Sequence, residues 1–152
     1  MSSLELDHVA IPISDARRSR QFYAEVLGLP LVAAMSGDDW DGHPWLLMFF
    51  KLDDGRLVAL TAFAGIAAAP KSRLPSDARH YALAPDDLEA WKKKLAKHKI
   101  AVREEDHGAQ HSLFIEDPDH TVWEITSPAS PMAFEEDASE AQDVVERWIA
   151  EH

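Results

Sequence analysis

The chain has 152 residues, a length that suits one domain in which two small modules share a core. It is 46% hydrophobic and 28% charged, as ordinary globular proteins are, and its lack of cysteine excludes disulfide frameworks, thiolate catalysis and cysteine-based zinc sites. With 27 acidic against 15 basic residues the net charge is −12, so the surface repels phosphate backbones and argues against nucleic-acid binding. No apolar run approaches the roughly 20 residues of a membrane span. The opening MSSLELDHVAIP shows no basic region followed by an apolar run, so the expected location is cytoplasmic, without membrane contact.

Residues Leu6 to Ile13 (LDHVAIPI) read as a first strand with Asp7 and His8 inside it. SDARRSRQFYAEVLG reads as a helix. Ser14 or Asp15 can cap it, Phe22, Tyr23, Val26 and Leu27 form an apolar stripe, and Gly28 can end it in the left-handed conformation. Leu29 to Ala34 suits a short strand, and MSGDDWDGHP reads as a loop from its Gly, Asp and Pro content. WLLMFFKL is an apolar strand, DDG a tight turn and RLVALTAF another strand. Ala64 to Ala78 carries Pro70 and Pro75 without periodicity and reads as a linker.

The pattern then restarts. RHYALA is a strand, PDDLEAWKKKLAKHK a helix with Leu88, Trp91 and Leu95 on one face, and IAVRE and HSLFIE are strands. DPDH is a turn and TVWEITS the last strand. The expected division is 1–66 for a first βαβββ module, 67–78 for the linker, 79–128 for a second module and 129–152 for a tail. In the tail, Ser139 with Gln142 makes a capping-box pattern, and Val144, Val145, Trp148 and Ile149 form an apolar stripe. A terminal helix is expected there, covering the core or docking on a second subunit.

The two modules align residue by residue. LDHVAI lies over ARHYAL, placing His8 on His80, and DDGRLVALT lies over PDHTVWEIT, placing Gly55 on His120 and Ala59 on Glu124. Two histidines thus occupy equivalent first strands, with small residues beside them, and one glutamate interrupts an apolar last strand. Singly, a strand histidine is an ordinary hydrogen-bonded core residue and a strand glutamate an ordinary solvated edge. Together, two imidazoles and a carboxylate from three strands are a ligand set for a divalent metal with open coordination positions.

On these residues the chain resembles the vicinal oxygen chelate superfamily, which includes glyoxalase I, extradiol ring-cleaving dioxygenases, fosfomycin-resistance transferases and bleomycin-binding proteins. The resemblance runs from Leu6 to Pro128 and rests on LDHVAIPISDARRSRQFYAEVLGLPLV, RHYAL and the closing hairpin HSLFIEDPDHTVWEI. It implies an α+β fold of two βαβββ modules whose strands curve into an open, cup-shaped mixed sheet. It also implies metal ligands at His8, His80 and Glu124, with Fe(II) or Mn(II) as the favoured ion and Ni(II) or Zn(II) as alternatives. Glyoxalase I-like members take a fourth ligand from the position of Ala59, which has none to offer. Ring-cleaving members carry a tyrosine where Phe114 stands, and His111, three residues earlier, is the candidate acid or base.

His43 lies where a loop could flank the cup mouth, while His107, His98 and His152 read as surface residues. His120 replaces a turn glycine and must tolerate a positive φ. In WLLMFF, Trp45, Leu47 and Phe49 share one face and Leu46, Met48 and Phe50 the other, and both faces are apolar. The expected function is a metal-dependent, dioxygenase-like enzyme acting as a homodimer on a small chelating substrate. Glyoxalase-like isomerase or lyase chemistry and non-catalytic antibiotic binding are the alternatives.

Overall fold

The computed structural model describes residues 3–68 and 73–152, so Met1, Ser2 and positions 69–72 of the expected linker lie outside the described residues. The first module runs β1 (His8–Ile13), α1 (Ala16–Gln21) continuing as a π-helical turn over Phe22–Val26, β2 (Leu31–Trp40), β3 (His43–Lys51) and β4 (Leu57–Phe63). The second runs β5 (His80–Leu83), α2 (Leu88–Lys97), β6 (Arg103–Asp106), β7 (His111–Glu116) and β8 (Val122–Ser127), followed by α3 (Ser130–Ala133) and α4 (Ala138–Glu151). Each module makes a four-stranded sheet, ordered β1-β4-β3-β2 and β5-β8-β7-β6. The outer pairs β1/β4 and β5/β8 are parallel and the rest antiparallel. This is the α+β class of two βαβββ modules with a C-terminal helix. No helix among the described residues is long and apolar enough to cross a membrane.

Both module helices start on an aspartate cap: Asp15 accepts from the Arg18 amide and Asp87 from the Ala90 amide, each at 3.0 Å. Gly28 ends the first helix at φ 72, a conformation that costs glycine little. The expected stripe of Phe22, Tyr23, Val26 and Leu27 is buried. It joins Ile11, Ile13, Met48, Phe50, Val58 and Leu60 of the first sheet with Leu113, Ile115, Trp123 and Ile125 of the second in one core cluster. The Tyr23 hydroxyl donates to Asp117 Oδ2 at 2.8 Å and accepts from Trp123 Nε1 at 3.0 Å, tying the first helix to the closing hairpin. Burial holds the Tyr23 phenol protonated, well above its ordinary range, with the Asp117 charge adding to the effect.

One shared core fixes which way each sheet faces. Strand residues alternate sides, so Val9, Ile11 and Ile13 point into the core and His8, Ala10 and Pro12 point away from it. In β3 the core side is Leu46, Met48 and Phe50, leaving Trp45, Leu47 and Phe49 on the outer face. In the second sheet Tyr81, Leu83, Leu113, Ile115, Trp123 and Ile125 face inward, and His80, Ala82, Ser112, Phe114 and Glu124 outward. The outer faces therefore look away from a common centre.

Four local expectations change. MSGDDW is not a loop but the second half of β2: Met35, Ser36 and Gly37 pair with Leu47, Leu46 and Trp45. The reversal is the two-residue turn Asp41-Gly42, both at positive φ (52 and 82), the Asp-Gly hairpin signal that the general Gly/Asp content obscured. β6 begins at Arg103 rather than Ile100, because the end of α2 runs through Lys99 at φ 57 and an Ile100-to-Leu95 bond. The last helix is capped by Asp137, which accepts from the Glu140 amide, and Ser139 lies inside it. That helix covers no core: Val144, Val145, Trp148 and Ile149 are all more than half exposed.

Candidate metal centre

Register places the central pair. In the parallel β5/β8 ladder His80 is opposite Val122 and Ala82 opposite Glu124, so His80 and Glu124 lie one step apart on the outer face of neighbouring strands. His80 Nε2 is 3.1 Å from Glu124 Oε2. The other ring nitrogen, Nδ1, is 2.7 Å from the Asp77 carbonyl oxygen. A carbonyl can only accept, so Nδ1 carries a proton and donates. In the neutral ring Nε2 then presents a lone pair to a carboxylate oxygen, a juxtaposition that calls for a proton or a cation between the two. Glu124 is held just as firmly on its far side, where Oε1 accepts from the buried Ser112 hydroxyl at 2.6 Å. Ser112 Oγ in turn is 2.8 Å from Thr126 Oγ1.

His8 repeats half of this arrangement. Its Nδ1 is 2.6 Å from Asp7 Oδ2, which leaves Nε2 free. Histidines that ligate metals have their second nitrogen held in this way. Phe49 stands edge-on to His8 at 6.4 Å between centroids, as Phe114 does to His80 at 5.9 Å. Yet His8 is on the outer face of the other sheet. Among the described residues no group of three or more His, Cys, Asp or Glu side chains lies close enough to hold a metal ion. The donor types, the free Nε2 and Oε2 atoms and the secured far atoms fit a divalent ion at His80 and Glu124, and His8 has the same form but not the same place. Ala59, beside Ala10, is 1% exposed and offers no donor.

His111 goes elsewhere. It shares the inward side of β7 with Leu113 and Ile115 and bonds Glu104 at 2.7 Å, and Glu104 also takes Lys92 of α2. These two partners draw the Glu104 carboxyl below its ordinary range, Lys92 the more strongly. The structure thus sets His111 on the opposite side of the sheet from Glu124. His107, by contrast, is on the open face. It is 3.3 Å from Glu105 and edge-on to Phe114. His43 opens β3 opposite Trp40, with its ring edge-on to Phe63. His120 adopts φ 66 in its turn and bonds Glu116 at 2.7 Å.

Sequence reading passed over three residues around the pair. Ser112 was legible by counting, since it is two residues before Phe114 on the same strand face. Arg103 lies over the Phe114 ring, 4.4 Å from its centroid, and binds both Asp77 and Glu105. Asp77 thereby joins Arg103 through its side chain and His80 through its carbonyl. It comes from a loop without periodicity, so no pattern pointed to it. Asp77, Arg103, Phe114 and Val122 border an open cavity of about 510 Å³ whose lining includes neither His80 nor Glu124.

The architecture is two βαβββ modules around one core, with an imidazole–carboxylate couple on the outer face of the second sheet. The chain belongs to the Glyoxalase/Bleomycin resistance protein/Dioxygenase superfamily, whose family model matches residues 5–125. Among solved structures it is similar to the trypanothione-dependent glyoxalase I of Leishmania major, at 20% identity over 97% of this chain and 99% of that one, with a TM-score of 0.68. A glyoxylase/bleomycin resistance protein/dioxygenase domain from Frankia sp. is 20% identical over 82% of this chain and 98% of that one, also at 0.68. The fosfomycin resistance protein FosX of Listeria monocytogenes, solved with Mn(II) and sulfate, is 11% identical over 87% and 97%, at 0.62. At these identities the likeness is one of fold. No curated protein sequence matches the chain.

Proposed function

We propose that this protein is a divalent-metal-dependent enzyme acting on a small substrate that chelates through neighbouring oxygens, with dioxygenase-like chemistry. The observation that carries the reading is the 3.1 Å approach of His80 Nε2 to Glu124 Oε2 with both outer atoms already bonded. Fe(II) or Mn(II) is the favoured ion, and FosX, a relative in fold, was solved with Mn(II). The absence of a donor at Ala59 favours three protein ligands over the four of a glyoxalase I-like centre, leaving more positions for substrate.

The working unit is a homodimer. The outer faces of the two sheets point away from one core, so His8 completes a centre only against the His80–Glu124 face of a second copy. Such pairing would also cover apolar side chains on the first sheet, where Met35 is 50% and Trp40 44% exposed.

His80 and Glu124, with the His8 of a second copy, would hold the divalent ion, which would supply Lewis acidity toward the substrate oxygens. The chain's own residues do the rest. The Asp77 carbonyl orients the His80 ring, and Ser112 orients Glu124. The small Ala10 and Ala82 leave room beside the two histidines, and Phe49 and Phe114 offer apolar walls to the substrate body. Arg103, held by Asp77 and Glu105, covers the Phe114 ring and fixes that wall.

Metal analysis of protein made without a histidine tag tests the centre. Stoichiometric Fe or Mn is expected, lost in the His80→Ala/Glu124→Ala double variant. Retention by that variant, or no metal in the parent, would overturn the reading. A catechol and 2-oxoaldehyde screen with Fe, Mn, Ni and Zn tests the chemistry. Ring cleavage is expected, whereas hemithioacetal turnover alone would move the assignment to an isomerase.

A further inference from the structure

We infer that Ser112 is a positioning residue that restricts Glu124 to a single donor oxygen. The inference rests on the metal centre proposed above. A carboxylate has two oxygens able to ligate. Glu124 has one of them, Oε1, engaged at 2.6 Å by the Ser112 hydroxyl, a short charge-assisted bond from a fully buried side chain. Serine has only one hydroxyl proton, and Thr126 decides where it goes. Thr126 is buried 2.8 Å from Ser112 Oγ and can donate its own proton there, leaving the serine proton for Glu124. The relay is built into paired strands: Ser112 is opposite Thr126, and Phe114 opposite Glu124. Oε2 is then the oxygen left facing His80.

The first sheet supplies an internal comparison. Its register sets Leu47 opposite Thr61 and Phe49 opposite Ala59, so the residue matching Ser112 is Leu47 and the residue matching Glu124 is Ala59. The first sheet keeps a threonine, Thr61, where the second has Thr126, but it has Leu47 in place of the serine. Among these register-matched places, the hydroxyl that reaches the carboxylate position stands beside Glu124 alone. Without Ser112, Oε1 would be unpaired and free to turn toward the cation beside Oε2, closing a position that substrate or water would otherwise hold.

The test uses the intact protein loaded with Mn(II), reading affinity by titration and inner-sphere water number by water-proton relaxation. Ser112→Ala is expected to lose one inner-sphere water and to weaken Mn(II) binding about tenfold, the lower end of the range for residues behind metal ligands. Thr126→Val, which leaves the Ser112 hydroxyl in place, should keep the water number while weakening affinity less. Ser112→Cys, a slightly larger side chain with a weaker donor, should shift the water number in the same direction as Ser112→Ala, which covers a failure of the alanine variant to fold. Parent-like hydration in a folded Ser112 variant would overturn the positioning role while the centre stands. An unmodified protein that binds no Mn(II) would remove the centre itself, and this inference with it.

Discussion

The two sheets share strand order, ladder directions and register, and both present a histidine to the outer face with a phenylalanine edge-on to it. They differ in what surrounds that histidine. The second sheet adds Glu124 and Ser112, whereas the first has Ala59 and Leu47 at the matching places. The repeated scaffold therefore supplies position twice, while the carboxylate and serine hydroxyl on which the proposed centre depends are built once. In the proposed dimer, that face's histidine completes the other copy's site.

The largest expected effect comes from moving the carboxylate between the sheets. Glu124→Ala should abolish stoichiometric metal binding, measured by metal analysis after dialysis. Adding Ala59→Glu should restore binding, because register places position 59 beside Ala10 and within reach of His8. The restored site should be about 10–100-fold weaker than the parent, since Leu47 cannot hold the new carboxylate as Ser112 holds Glu124. No recovery would show that the sheets do not offer equivalent places to one ion.

The joint between the modules is tested next. Tyr23→Phe leaves Asp117 and the Trp123 N–H without their shared buried partner, and should cost about 1–3 kcal/mol in urea unfolding. In the first sheet, a Cβ on Gly37 would meet the Trp45 indole at 2.7–2.9 Å. Gly37→Ala should therefore displace that ring, change tryptophan fluorescence and cost about 1 kcal/mol. The smallest effect is at the turn that distinguishes His120 from Gly55. The bond to Glu116 raises the His120 pKa, so its contribution is fully present below the unfolded value of about 6.5 and is lost as pH rises through the folded pKa. His120→Gly relieves the positive φ, so its thermal melts should show a larger gain at pH 9 than at pH 5.

The repeat made much of this molecule legible from sequence. Aligning His8 with His80 and Ala59 with Glu124 matches the ladders, in which Ala10 pairs with Ala59 and Ala82 with Glu124. Local chemistry was legible where one residue dictates backbone, as at Asp15, Gly28 and His120. The outward orientation of the two sheets was not, because β3 is apolar on both sides and only tertiary packing chose Met48 and Phe50 for the core. The side taken by His111 follows from strand alternation, since it is three residues from Phe114, but its bond to Glu104 does not, because Glu104 and Lys92 come from a strand and a helix that no local pattern connects to it. Asp77 reaches His80 through a backbone carbonyl, a contact that any residue type could supply.

In the proposed dimer one copy's His8 serves the His80–Glu124 pair of another, and subunit complementation tests this directly. His8→Ala and Glu124→Ala variants, each prepared metal-free, would be mixed, dissociated and reassembled, and their bound Mn(II) measured. A shared centre predicts that neither variant alone binds stoichiometrically, while each mixed dimer regains one intact site. Equal absence of metal before and after mixing, in protein shown to have exchanged subunits, would contradict it.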